Sequence, residues 1–403
     1  MAVEAVNAMT VLALNSGSSS FKFGLYRVRE SRAQASGTET LLSDSISTAN
    51  PEETVAGIAS LLAKYKLPAP RAIGHRVVHG GPALHQHCLI DDTVLRQLEA
   101  AAPFAPLHTP VALAVIRAAQ KHFSALPQVA CFDTCFHAGL PDVARMLPIP
   151  RELQLEGIHR YGFHGLSCES IVHRLGDALP KRVVIAHLGN GASVTAVKRG
   201  QSIDTSMGLT PTGGTIMGTR SGDLDPGVLL YLMREKKFDG AMLEDLVDHR
   251  CGLLGISGLS SDMRRLHEAA STDANARLAI QMFCYSVRKQ IAAMIAVLDG
   301  VDLIVFTGGI GENDALVRTG ICSGLSWIGV SLDQHRNQVA SKTIHSDRDV
   351  AIHSDLDVAI HSDVDVAING SNSRCAVRVM ASQEDGQIAR HTSALIPQRH
   401  QRK

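Results

Sequence analysis

VLALNSGSSS (residues 11–20) and VVIAHLGNGA (residues 183–192) share one pattern: four β-favouring residues, a polar residue (Asn15 or His187), one intervening residue, and a glycine followed by Ser18 or Asn190. The offset is 172 residues, so one supersecondary unit occurring twice is the first expectation. Around the first copy, Thr10 to Leu14 and Phe21 to Tyr26 are β-rich, and Phe21, Phe23 and Leu25 alternate with Lys22 and Gly24 in the two-residue strand period. This reads as strand, tight turn, strand.

Outward from these turns, Asn50-Pro51-Glu52-Glu53 offers an N-cap, a proline at the first helical position and acidic residues in the first turn, ahead of Val55, Ile58 and Leu62 at helical spacing. Thr109-Pro110 repeats that start signal before Leu113 and Ile116. A long helix from about Arg277 to Leu298 puts Ile280, Phe283, Val287, Ile291, Met294 and Leu298 on one face. Strands expected at 128–132, 182–186 and 302–306 alternate with these helices, which predicts α/β architecture. A chain of 403 residues exceeds one ordinary core, and domain sizes of roughly 150 to 200 residues predict two units. IHSDRDVA, IHSDLDVA and IHSDVDVA run in tandem over 344–367. Three eight-residue units are short for a solenoid, and no EF-hand pattern surrounds their Asp-x-Asp pairs, so a solvated insertion is expected.

A composition of 45% hydrophobic and 19% charged residues excludes a disordered or fibrous chain. Thirty-nine basic residues balance thirty-nine acidic ones, so no summed field favours nucleic acid or an anionic membrane as partner. The eight cysteines form no C-x-x-C pair and no zinc spacing, which predicts reduced thiols. MAVEAVNAMTVLALNSG lacks a basic n-region, and MIAVLDGVDLIVF is broken by Asp299 and Asp302, short of the ~20 residues of a membrane span; a cytoplasmic protein is expected.

Phosphate binding needs backbone N–H groups in a concave turn, and small residues permit close approach. Asn15 to Ser20 followed by Lys22, His187 to Gly191, and FTGGIGEN (306–313) supply three such turns, although a plain hairpin turn also favours Asn and Gly. None is a Walker A loop. GGTIMG (213–218) has its glycine spacing but continues into Thr219-Arg220, and Gly309-x-Gly311 lacks the third glycine of a dinucleotide fingerprint. Arginine forks pair two oxygens at once, and Arg76 in GHRVVHGG and Arg220 in MGTRSGDLDPG lie in glycine-rich sequence. With His108, Asp133 and His164 nearby in similar settings, the set describes phosphoryl transfer, in which positioning and charge neutralisation do most of the catalysis.

NSGSSSFK, GHRVVHGG, FDTCFH, YGFHGLS, HLGNGASV, MGTRSGDLDPG and FTGGIGEN occur here in the order of the acetate kinase family, which the chain resembles over about 10–335 and again near 377–390. The resemblance implies two ribonuclease-H-like domains of the actin and heat-shock ATPase type, each a mixed sheet flanked by helices, closing over an interdomain cleft. Their expected spans are 1–140 plus 386–403, and 141–385 with the repeat insertion at 344–367. It implies reversible phosphoryl transfer from ATP to acetate, giving acetyl phosphate and ADP, with Mg2+ (Mn2+ as substitute) and a homodimer; propionate or butyrate as acceptor, or a silent ATP-binding protein of the same fold, are the alternatives. By the same resemblance Arg76, Asp133, His164 and Arg220 are catalytic, and His108 and Phe163 support substrate and transition state. Ser18, Ser20, Lys22, His187, Gly189, Asn190, Gly191, Gly309, Gly311 and Asn313 face the nucleotide, while Asn15 and Glu384 serve the metal. Two positions depart from the family: Thr109 replaces a frequent Asn, and Gln383-Glu384-Asp385 replaces Asn-Glu-Glu.

Overall fold

The computed structural model describes residues 8–16, 21–29, 37–46, 50–106, 108–349, 352–353, 356–357 and 365–396. The turn expected at 17–20, with Ser18 and Ser20, lies outside them. Its flanking strands do not: β1 (Ala8–Ser16) and β2 (Phe21–Arg29) pair antiparallel with Asn15 opposite Lys22. The first sheet continues through β3 (Gly37–Ile46), β4 (Ala72–Val77), β5 (Cys88–Leu89) and β6 (Gln128–Phe132) in the order β3-β2-β1-β4-β6-β5.

The second sheet consists of β7 (Arg182–Leu188), β8 (Ala192–Lys198), β9 (Gln201–Thr205), β10 (Leu303–Thr307), β11 (Asp365–Ala367) and β12 (Ala376–Met380). Its order, β9-β8-β7-β10-β12-β11, repeats the first strand for strand, including the parallel pairs at the centre and an antiparallel strand at each edge. Asn15 and His187 are the penultimate residues of the corresponding strands β1 and β7, so the offset seen in sequence is a structural repeat. β10 (LIVFT) reads as a near-continuous apolar run because both of its faces are covered; all five of its residues are buried.

Each sheet carries two helical layers. On the first, α1 (Pro51–Lys64) and α2 (Thr109–His122) pack Val55, Ile58, Val115 and Ala118 against Leu12, Leu14 and Phe23. On the second, α4 (Ala274–Leu298) and α5 (Ala315–Cys322) bring Phe283, Val287, Ile291, Val317 and Ile321 against Ala186, Val194 and Phe306. The remaining faces are exchanged. α3 (Gly165–Leu175), which follows the first sheet in sequence, buries Cys168, Ile171 and Leu175 on the second sheet against Val183, Ile185 and Val305. α6 (Glu384–Leu395), which follows the second, buries Ile388 and Ala389 on the first against Val11, Ala13 and Val129. Gly74 of β4 makes the second exchange possible, since a Cβ there would lie 2.5 Å from Ile388 Cγ2 and closer still to Thr392 Oγ1.

Three expectations are corrected. The α2 start signal is displaced by one residue: Thr109 is the first helical residue, His108 is the cap without a side-chain bond, and the Thr109 hydroxyl is buried with no partner among the described residues. α4 begins at Ala274 because the Asp273 carboxylate accepts the N–H groups of Asn275 and Ala276. The repeat segment is more than a solvated insertion: its last residues form β11, where the Arg378 guanidinium donates to both Asp365 oxygens (2.7 and 2.6 Å). Its first unit instead extends the helix Gln334–Asp349, so Asp349 and Asp365, which hold the same place in the octapeptide, take helical and strand conformations. Tertiary pairing overrides local preference here.

Candidate active site

The loops at equivalent strand ends of both sheets meet in one cleft. From the first sheet come Asn15 at the end of β1, Arg76 near the end of β4, and Asp133 just after β6. Arg76 donates from Nε (3.0 Å) and Nη2 (2.6 Å) to Asp133 Oδ2 and from Nη1 to Asn15 Oδ1 (3.1 Å). Asn15 Nδ2 then donates to Asp385 Oδ1 (2.7 Å) and Glu384 Oε2 (3.3 Å) at the start of α6. The helix N-terminus favours both acids. Burial raises the Asp133 carboxyl from its ordinary value against the opposing pull of Arg76. For Glu384 burial acts in the same upward sense, but Arg76 and Lys22 outweigh it and hold the group below the usual carboxylate range. Lys22, opposite Asn15, is exposed.

From the second half come His164, the turn Gly189–Gly191 and Arg220. His164 caps α3 in the left-handed region (φ +58°), a conformation costing on the order of 1–3 kcal/mol that places its ring over His187 (centroids 4.2 Å apart, planes at 24°). A Cβ on Gly191 would lie 3.3 Å from His164 Nε2 and 3.4 Å from Arg220 Nη1, so the bare backbone of this turn sits directly under both groups. Asn190 holds the turn to the Arg220 segment, its carbonyl accepting from Gly218 N–H (3.0 Å). Unlike Arg76, Arg220 has no carboxylate within salt-bridge distance among the described residues; Nη1 donates to the Pro211 carbonyl (3.3 Å). Burial lowers its ordinary value against the opposing pull of Asp248, and Arg76 adds to the lowering. Burial followed by the two arginines pushes His108 down to about 4, and burial brings His187 to about 4 and His164 well below its usual range. All three imidazoles are neutral near pH 7.

His108 and Arg220 line a cavity of ≈ 260 Å³ walled by Phe104, Pro106, Pro211 and Val247, with Glu244 and Asp248 at its polar side. Phe163 is buried, its carbonyl accepting from His137 Nε2 (3.0 Å) and its ring edge-on to His79. Gly309, Gly311 and Asn313 occupy the short helix Gly308–Asn313 that follows β10. Asn313 Nδ2 donates to the Gly309 carbonyl (2.8 Å). Gly308 needs its positive φ (+78°) and lack of Cβ, since a side chain would meet the Leu188 carbonyl at 2.8 Å.

A model of the acetokinase family matches residues 10–370 of the chain. The chain belongs to the acetokinase family. Among acetokinases it is 46% identical over 331 residues to the acetate kinase of Methylocella silvestris, covering 81% of this chain and 76% of that one. The crystal structure of Porphyromonas gingivalis acetate kinase superposes with a TM-score of 0.78 at 31% identity, covering 96% of this chain and all of the other. That of a propionate kinase from Francisella tularensis does so with 0.80 at 34% identity and the same coverage. The fold is therefore the two-domain actin-like ATPase fold. The acetokinase activity is ATP-dependent phosphoryl transfer to the carboxylate of acetate. No described helix is long and apolar enough to cross a membrane.

Several residues of this acetokinase site carry no motif in sequence. Asp385 bonds Asn15 more closely than Glu384 does; the paired acids opening a helix were its signal. Glu312 is buried and its Oε1 accepts from Gly308 N–H and Ser382 N–H (3.0 Å each), joining two cleft loops. Away from the cleft, ligand atoms of His87, Glu169 and His391 lie within 4.8 Å of one another. Phe132 N–H donates to His87 Nδ1 (3.0 Å), which leaves the neutral ring's proton on Nε2, and His391 Nε2 is bonded to Glu169 (2.7 Å). The cluster fastens α3 to α6.

Proposed function

We propose that Arg76, Asp133, His164 and Arg220 carry the transfer of the ATP γ-phosphoryl group to acetate. The observation that carries this reading is the convergence of His164 Nε2 and Arg220 Nη1 on the uncovered backbone of Gly191. A carboxylate oxygen attacks the γ-phosphorus in line while the bond to the ADP oxygen breaks. Acetate is ionised at neutral pH, so no strong base is required. Arg220, which no described carboxylate holds in a salt bridge, binds the acid and neutralises charge on the phosphoryl oxygens; Arg76, steadied by Asp133, does so from the other domain. Asn15, Glu384 and Asp385 present only oxygen and amide groups, and the buried Asp133 Oδ1 has no hydrogen-bond partner among the described residues. This donor set fits a hard cation, and these residues would hold Mg2+, which when bound offsets phosphate charge. Ser18, Ser20, Lys22, the Gly189–Gly191 turn and the helix Gly308–Asn313 are assigned to the nucleotide, and His108 and Phe163 to the acid side. The domain boundaries are placed at 1–140 plus 386–403 and at 141–385.

Trapping acyl phosphate as the hydroxamate in the presence of ATP, Mg2+ and acetate tests the reaction, and background-level product with ATP binding intact overturns it. The apolar walls beside His108 and Arg220, together with the likeness to a propionate kinase, support a wider acid range. A cytoplasmic homodimer is part of the same proposal. The helix Pro226–Lys236 buries none of its residues and exposes Leu230, Tyr231 and Met233, a face suited to a second copy.

A further inference from the structure

Both cleft histidines have Nδ1 held by a buried serine. Ser167 Oγ lies 2.8 Å from His187 Nδ1, and Ser193 Oγ lies 3.0 Å from His164 Nδ1. Neither serine is exposed to solvent. With Nδ1 directed into the protein, Nε2 of each ring is the atom turned to the glycine turn: His164 Nε2 is 3.3 Å from a Cβ at Gly191, and His187 Nε2 is 4.0 Å from one at Gly189.

The hydrogen-bond chain behind His187 bears on where its proton sits. Ser382 Oγ donates to Ser167 Oγ (3.0 Å), which leaves the Ser167 hydrogen available for His187 Nδ1 at 2.8 Å. A neutral imidazole that accepts at Nδ1 carries its proton on Nε2. Ser382 is itself anchored, its N–H donating to Glu312 Oε1 (3.0 Å). The adjacent Gln383 N–H donates to Ser170 Oγ (3.1 Å), whose hydroxyl in turn donates to the Ser167 carbonyl (2.7 Å). Thus α3 and the loop leading to Glu384 hold the relay from both ends.

We propose that Ser167, oriented by Ser382, is a positioning residue that fixes His187 as the Nε2–H tautomer, so that a neutral imidazole donates a hydrogen bond to the nucleotide phosphates at the Gly189–Gly191 turn. The inference rests on reading that turn as the phosphate side. Burial and the nearby Arg76 keep the ring uncharged. Two arginines already supply positive charge, and a cationic His187 would repel Arg76 and the stacked His164; a preset N–H donor contributes without reorganising during the reaction.

Nitrogen-15 spectra of histidine-labelled protein, with His187 assigned through His187→Gln, read the tautomer directly and do not depend on turnover. Failure of the acetate reaction therefore stays distinguishable from failure of this inference. In the unsubstituted protein the proton is expected on Nε2 at pH 7.5. Ser167→Ala should redistribute it toward Nδ1 and lower kcat about 10- to 100-fold, by analogy with the loss of the outer partner that orients a metal-ligating histidine; Ser167→Thr, which keeps the hydroxyl, should restore both. Should Ser167→Ala fail to fold, Ser382→Ala decides through the same signal, because it removes only the donor into Ser167. A His187 proton on Nδ1 in the unsubstituted protein, or unchanged tautomer and kcat in the folded variants, overturns the proposal.

Discussion

The two sheets share one strand order yet equip their loops differently. The first presents an arginine locked by a carboxylate, Arg76 on Asp133, and the second an arginine, Arg220, whose hydrogen bonds among the described residues run to a carbonyl and a sulfur. Duplication supplied a common scaffold, and divergence placed one fixed charge and one available charge on opposite walls of the cleft.

The largest effect should come from breaking the locked side. Asp133→Ala leaves Arg76 buried without its partner, and urea denaturation is expected to show a loss of about 3–5 kcal/mol together with most of the activity. Unchanged stability would mean that the pair is not a buried ion pair. Arg220→Ala breaks no salt bridge among the described residues, so kcat should fall about 10²- to 10³-fold while the unfolding midpoint stays near that of the unsubstituted protein; near-normal turnover sinks its catalytic role. Gly74→Ala probes the exchanged helix: the new methyl must displace Ile388 or Thr392, at a cost of about 1–3 kcal/mol by thermal unfolding.

Acid should weaken both halves. His75, His108, His137 and His187 are each pushed down to about 4, mainly by burial, against an ordinary 6.5. Between those values the unfolded chain takes up protons that the folded one refuses. Stability is thus complete above pH 6.5 and lost as pH falls toward 4, by up to about 1.4 kcal/mol per pH unit for each histidine. Denaturation midpoints flat across that window would contradict it. The smallest effect concerns the acid pocket, where kcat/KM for acetate against propionate should differ by only about 10-fold per methylene.

The sequence disclosed what lies on strand ends. Asn15, Arg76, Asp133, His187 and the Gly308–Asn313 helix each follow or close a short apolar run, and glycine-rich local sequence marks most of them. It did not disclose relations between distant segments. Nothing in the spacing of His87, Glu169 and His391 announces a cluster, and Ser167 looks like one more helix residue until Ser382 is placed beside it. The Thr109 cap and the split behaviour of the octapeptide failed for a related reason, since packing and sheet pairing outweighed local signals.

The exchange of α3 and α6 also bears on the order of synthesis. Val11, Ala13 and Val129 find their apolar cover in Ile388 and Ala389. While the chain is being made, one face of the first sheet stays open until residues 384–395 have left the ribosome. Nascent chains stalled before residue 384 should therefore bind chaperones through a surface that the folded protein hides, and α6 acts as the closing step of folding for a sheet made well before it.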